Sequence, residues 1–373
     1  MDTQPWSIIA SALCFLYMII NNRLSLGMFL IIPTTILIVS ISILLPTLYY
    51  EKFLFNFLLI RGVAGYLSFI LIFVVYYEIY KRYGFPAKWF YVANIIWLLV
   101  GVFQVAIDPY LFDFLLDVRT SPSRGVTGLA PEPKPYGTFL FFLNFIYLIQ
   151  FNYKLNGLVK KLFILNMIFI FLVAQSASVI VLVFAGVMFF LFSGVNFKYI
   201  LLSFFLILFL FLLMTYFDIS PRAINLFNRL YNEGFLYIFT HDKSVFNRIM
   251  SIVYPYYSGL QNYLMPGGFN SFYLMPPMEL IISDNHYTYN IDSISMSYFG
   301  AIFYELGFLS LFVFLLFFKC IYNRTFRSIL EFVFLVFCLQ FSLTIAYPLI
   351  PILLVTFWFR NFIVNGQGLY VQR

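Results

Sequence analysis

With 373 residues, 63% of them hydrophobic and 10% charged, and a mean hydropathy of +0.93, the chain has too few charges to cover a water-facing surface; a soluble globular domain is charged at about a quarter of its positions. The net charge of +7 would suggest a nucleic-acid partner in a soluble protein. Here Lys and Arg sit mainly in short connections between apolar runs, the pattern of the positive-inside rule, and no nucleic acid is expected.

Apolar runs of about 18 or more residues, long enough to cross a bilayer, recur along the chain. Hydrocarbon offers the backbone no water, so each such run must pair its own backbone groups as a helix; a barrel would show short alternating segments instead. The first run, Trp6 to Ile20, has no basic n-region and no small-residue cleavage site, and reads as a retained helix. Spans are predicted at 6–20, 25–48, 59–80, 88–107, 136–151, 162–174, 177–194, 197–217, 298–318, 328–345 and 348–364. The stretch from Lys161 to Lys198 is apolar over about twice a single span and basic at both ends. It should fold back on itself at Gln175-Ser176-Ala177-Ser178. The expected fold class is all-α: one polytopic membrane domain, residues 1–373, of about 11 (10–12) transmembrane helices.

Lys81, Arg82 and Lys88 mark one side of the membrane, joined by Lys154, Lys160, Lys161, Lys198, Lys319, Arg324 and Arg327. That side is expected to be cytoplasmic. Two long loops, 108–135 and 218–297, then fall outside, as does the N-terminus. Both histidines, His241 and His286, lie in the second loop, and most acidic residues lie in the two loops. A carrier of ions or charged solutes keeps ionisable groups inside its helices. Polar equipment gathered on one face points instead to work at the outer membrane–water boundary.

In the first loop Arg119 and Arg124, with glycines that free the backbone, can grip a phosphate in bidentate fashion. Glu132 can orient a sugar hydroxyl or take its proton. The competing reading is a Pro/Gly-rich connector whose charges are solvated. In the second loop Arg248 precedes Tyr254, Tyr256 and Tyr257 and then Pro266-Gly267-Gly268-Phe269. The tyrosines suit either the headgroup level or stacking on sugar rings. His286, beside Asp284 and Asn285, is a candidate general base or a solvated loop histidine. Glu305 lies inside the span 298–318, about 10 Å from its outer end at 1.5 Å per residue. A carboxyl there must face protein or a wet cleft, either catalytic or paired, with Arg61 as the expected partner. Arg360, near the end of the last span, is expected to snorkel to the cytoplasmic surface. The cysteines Cys14, Cys320 and Cys338 have no disulfide-framework or metal-ligand spacing. No nucleotide-binding or hydrolase motif is present, and neither metal nor cofactor is expected.

The element Arg124-x-x-x-Gly128-x-x-x-Glu132-Pro133 ahead of a span resembles the Arg/Gly/Glu-Pro loop of the O-antigen polymerase (Wzy) family, which is related to the O-antigen ligases. The turn Gln175-Ser176-Ala177-Ser178 sits where these families often carry Thr-x-Ser-Arg, with Ala177 replacing the arginine. Arg248 followed by Gly267-Gly268, and Glu305-Leu306-Gly307, continue the pattern. The resemblance implies a metal-independent glycosyltransferase of the bacterial inner membrane. It would move a polysaccharide from undecaprenyl pyrophosphate onto a repeat unit carried by a second undecaprenyl pyrophosphate, by direct and therefore inverting displacement. Membrane lipid and a chain-length regulator would be its other partners. The catalytic candidates are then Glu132, His286 and Glu305, and the substrate-binding candidates Arg119, Arg124 and Arg248. An O-antigen ligase or other polysaccharide polymerase, a lipid-linked oligosaccharide flippase, and a non-catalytic member of a polysaccharide complex are the alternatives. A flippase would show evenly spaced spans, short loops and charged helices.

Overall fold

The computed structural model describes residues 6–49, 57–116, 118–120, 125–192, 234, 243–272, 278–282, 285–289, 297–341 and 343–364. The helices are α1 (Trp6–Ile20), α2 (Leu26–Tyr49), α3 (Phe57–Tyr83), α4 (Ala87–Ala106), a single turn α5 (Asp113–Leu116), α6 (Pro133–Gln150) and α7 (Gly157–Phe169). The π turn Ile170–Ala174 leads to α8 (Ala177–Phe192), and α9 (Lys243–Gln261) follows. After the strands β1 (Met278–Ile282) and β2 (Asn285–Tyr289) come α10 (Tyr298–Leu306), a 3-10 turn Gly307–Leu309, α11 (Ser310–Ile321), α12 (Phe326–Cys338) and α13 (Leu349–Val364).

Among the described residues, five stretches are long and apolar enough to cross a membrane: α2, α3, α4, α7 with its π turn, and α10–α11. They mark a membrane-embedded protein. Helices occur where the apolar runs predict them, and the hairpin turn at Gln175 is present, its φ of 47° reversing the chain. Three expectations change. The fold is helical but not wholly so, because β1 and β2 pair antiparallel, Ile281 opposite His286. The run 328–345 is helical only to Cys338, and Leu339, Gln340 and Phe341 turn back in hydrogen-bonded turns instead. The first long loop ends at Glu132 rather than 135, since Pro133 opens α6, where its missing N–H is no loss. The expected span 197–217 lies outside the described residues.

Apolarity alone cannot separate lipid-facing from protein-facing helices; packing does. α13 lies against α3, α6 and α11, and α6 also against α4, α7 and α8. Tyr136, Leu140, Phe142, Ile146 and Tyr147 of α6, and Ile350, Leu353, Leu354 and Phe357 of α13, are fully buried. These two helices form the centre. On α1 and α4, by contrast, Leu13, Ile20 and Trp89 stand exposed, as a rim in contact with lipid requires. Asn166 Nδ2 donates to Asn144 Oδ1 at 2.8 Å and ties α7 to α6, a polar link of the kind that joins helices where hydrophobic association is weak.

The two ends of the bundle differ. At the end carrying the short basic connections, Arg360 Nη1 and Nη2 donate to the two oxygens of Glu331 at 2.6 and 2.5 Å. Tyr153 Oη donates to Glu331 Oε1 at 2.7 Å, and the Arg327 guanidinium lies 3.7 Å from the centre of the Tyr153 ring. Arg360 is therefore a buried partner of Glu331 rather than a snorkelling arginine; a fork that satisfies both carboxylate oxygens outweighs the reach to water. Nearby, Glu78 accepts from the N–H and Oγ of Ser25 at 2.9 and 2.6 Å and pins the start of α2.

Candidate functional site

The opposite end of the bundle is closed by the first loop. Residues 125–130 are not a solvated connector: Val126, Thr127 and Ala130 are buried. Val126 N–H donates to Val173 O at 3.0 Å, which lays the loop on the π turn. Gln104, fully buried at the end of α4, accepts from Gly128 N–H at 2.6 Å and donates to Thr127 Oγ1 and Gly128 O at 3.2 Å. The glycines serve close approach rather than mobility. A Cβ on Gly125 would strike the backbone of Val173 and Ala174, and one on Gly128, whose φ is +58°, would strike the Tyr136 ring.

This packing places the candidate residues. Arg119 N–H donates to Pro131 O at 2.7 Å, so the loop backbone at the exposed Arg119 runs beside Pro131, next to Glu132. Thr120 Oγ1 donates to Gly125 O at 2.8 Å, bonding together the two residues on either side of segment 121–124; Arg124, within that segment, lies outside the described residues. Arg248, exposed in the second turn of α9, acts on the charge of Lys134, as does Glu132. Arg248, Lys134 and Glu132 thus share one neighbourhood at the mouth of α6, contributed by two stretches of sequence over a hundred residues apart. Gly137, one turn below Lys134, abuts Ala174 and Val179, which brings the Gln175–Ser178 turn to the same mouth.

Lys134 was not singled out in the sequence. It stands between two prolines, ahead of the apolar span that begins at 136, where it reads as an ordinary loop charge; the signal was the run Glu-Pro-Lys-Pro at a helix start. Burial lowers its pKa to about 8, helped by the Arg248 guanidinium and opposed by Glu132. An anion seated there would favour the protonated form, so binding should raise this pKa and weaken as pH rises past it. The expected result is that the affinity of the purified protein for inorganic pyrophosphate, measured calorimetrically, falls between about pH 7 and pH 9, and that Lys134→Arg abolishes the fall. An affinity that is level over that range in the unmodified protein would exclude Lys134 from the anion site.

The other two candidates stand on other elements. His286 is on β2, opposite Ile281. Glu305 is buried on α10 and accepts from Tyr66 Oη at 2.8 Å and from Asn270 N–H at 2.9 Å. These partners replace the expected Arg61. Ser297 N–H donates to Ser251 O at 3.1 Å, so Arg248 sits near the level of Ser297. Glu305 lies about 12 Å further along α10.

The helices define a membrane-embedded protein, and at the mouth of α6 Arg248 and Glu132 both lie near enough to Lys134 to act on its charge, with the Arg119 backbone bonded next to Glu132. The chain matches no family model, no curated protein and no solved structure.

Proposed function

We propose that the chain is an O-antigen polymerase, transferring a polysaccharide from undecaprenyl pyrophosphate to a repeat unit on a second undecaprenyl pyrophosphate at the periplasmic face of the bacterial inner membrane. The observation that carries this reading is that Arg248 and Glu132 both lie near enough to Lys134 to act on its charge, at the end of the bundle opposite the basic connections. The reaction needs cations for a departing pyrophosphate, a base for an attacking hydroxyl, and a membrane-embedded frame for two lipid tails. In this reading Arg119, Arg124, Lys134 and Arg248 hold the donor's pyrophosphate. Glu132 takes the proton of the acceptor hydroxyl as its oxygen bonds to the anomeric carbon and the bond to the pyrophosphate oxygen breaks. His286 is the competing base. With a single displacement and no carboxylate nucleophile, the anomeric configuration inverts.

Deletion of the protein should leave lipid A–core bearing one repeat unit, with the longer lipopolysaccharide ladder gone, read on a silver-stained gel. Disappearance of every O-antigen band, the single unit included, would point to a ligase or flippase. An unchanged ladder would remove the protein from this pathway.

A further inference from the structure

We propose that α9 and the turn behind it form a re-entrant half-span, inserted from the mouth face to about the middle of the bilayer and presenting an apolar stripe to lipid acyl chains. Sequence places this segment in a long extramembranous loop. The structure lays it alongside α10 in parallel, contact by contact. Ser251 O accepts from Ser297 N–H at 3.1 Å at the top; the Tyr256 ring lies tilted against Phe303 with centroids 5.2 Å apart, and Gly259 abuts the same Phe303 ring. At the bottom Leu264 O accepts from Phe308 N–H at 2.7 Å, and Gly267 N–H donates to Tyr304 O at 2.8 Å. Phe308 lies ten residues into the 24-residue apolar stretch Tyr298–Ile321. At 1.5 Å per residue that is about 15 Å, half of a hydrocarbon core of about 30 Å.

Lipid is the occupant that fits the exposed side. Leu260, Tyr263 and Met265 are 61%, 85% and 45% exposed, and on the neighbouring stretch Phe308, Leu311 and Phe312 are 49%, 60% and 58% exposed. The two sets are joined by the Leu264–Phe308 bond, and the second belongs to a helix apolar enough to cross a membrane. Irregular backbone at that depth must find its partners within the protein. It does: the N–H groups of Asn262, Tyr263, Leu264 and Met265 donate back to Ser258, Leu260, Gly259 and Asn262.

The element is clamped from inside. Asn270 N–H reaches Glu305, Asn270 Nδ2 donates to Leu58 O at 2.8 Å, and Ser271 Oγ donates to Gly267 O and Gly268 O at 2.6 and 2.7 Å. Gly307, with φ +54°, leaves no room for a Cβ against Leu264 and Met265. Glu305-Leu306-Gly307 is thus the seat of the half-span: the glycine admits the turn and the carboxylate holds it. Glu305 is a positioning residue, fixing how far α9 descends and so where Arg248 stands at the mouth.

This inference does not depend on the polymerase reading, and its test reads depth rather than activity. Spin labels would be attached to single cysteines at Asn247, Leu260 and Leu264, with Cys14, Cys320 and Cys338 replaced by alanine, in phosphatidylethanolamine–phosphatidylglycerol vesicles. Labels at Leu260 and Leu264 should relax with oxygen and not with an aqueous nickel chelate; the label at Asn247 should show the reverse. Nickel access at Leu260 and Leu264 equal to that at Asn247 would overturn insertion. Low access to both agents at these two sites would overturn lipid as the occupant, in favour of a second copy or another protein. Glu305→Ala should then give Leu264 nickel access while Glu305→Gln, which keeps an acceptor, should not. If the alanine variant fails to insert, the depth profile with Glu305 in place still decides.

Discussion

Arg248→Lys should shorten or abolish the polymer while the protein still inserts at normal abundance. As the glycosidic bond breaks, negative charge grows on the leaving oxygen, and a donor already aimed at it stabilises the transition state more than the ground state. A guanidinium matches two phosphate oxygens with one planar fork, whereas an ammonium is a single point of charge. Losing one such donor costs about 10²–10³ in rate. Its position supports the assignment: Arg248 is exposed at the mouth and near enough to Lys134 to depress its basicity. The same result is expected of Arg124→Lys, which lies in the segment 121–124 whose bounding residues Thr120 and Gly125 are bonded to each other. If these arginines only fasten loops, lysine should substitute well and alanine should lower abundance. A normal ladder from both lysine variants at normal expression would refute the assignment and move attention to Arg119 and Glu132.

Arg360→Met should be the most destabilising single change at the other end of the bundle. It strips the two-pronged partner from Glu331, which is fully buried. Removing one member of a buried pair costs about 3–5 kcal/mol, because the remaining charge is stranded, whereas replacing both by apolar residues is often close to neutral. Thermal melting of the detergent-solubilised protein should therefore show Arg360→Met well below the parent, and Arg360→Met with Glu331→Met part of the way back. Arg327, 3.5 Å from Glu331, offers only partial compensation in the single variant. Equal melting of the single variant and the parent would show that the pair carries no stability.

The long helices were legible because their apolar runs leave no other solution in hydrocarbon. What lay beyond local pattern was not. Arg360 looked like a terminal arginine free to reach water, since its partner is 29 residues away on another helix. For Glu305, charge offers Arg61 as the partner of a paired carboxyl, with a catalytic role as the alternative, yet the partners in the structure are a tyrosine 239 residues distant and a backbone N–H. The half-span was hidden because Asn247, Arg248, Ser251 and Pro255 dilute the hydropathy of α9, and the hairpin because β1 and β2 are each five residues long. At the site, Arg119, Glu132 and Arg248 could be named from residue type and spacing. That Arg248 comes close enough to act on Lys134 depends on how α9 docks, and no local signal carries that.

The central position of α13 bears on how the protein is made. Chains emerge N-terminal end first, at about 5–20 residues per second. α3, α6 and α11 therefore reach the membrane before the helix that all three pack against. Until it arrives, Glu331 on α12 lacks its Arg360 fork, and the inner faces of α3 and α6 lack their main apolar partner. The nascent protein must wait as a loose set of inserted helices, shielded by lipid or by the insertion machinery. A nonsense codon anywhere before Leu349 should then yield a product cleared by membrane proteases, and the arrival of α13 acts as the checkpoint for assembly of the helices that precede it.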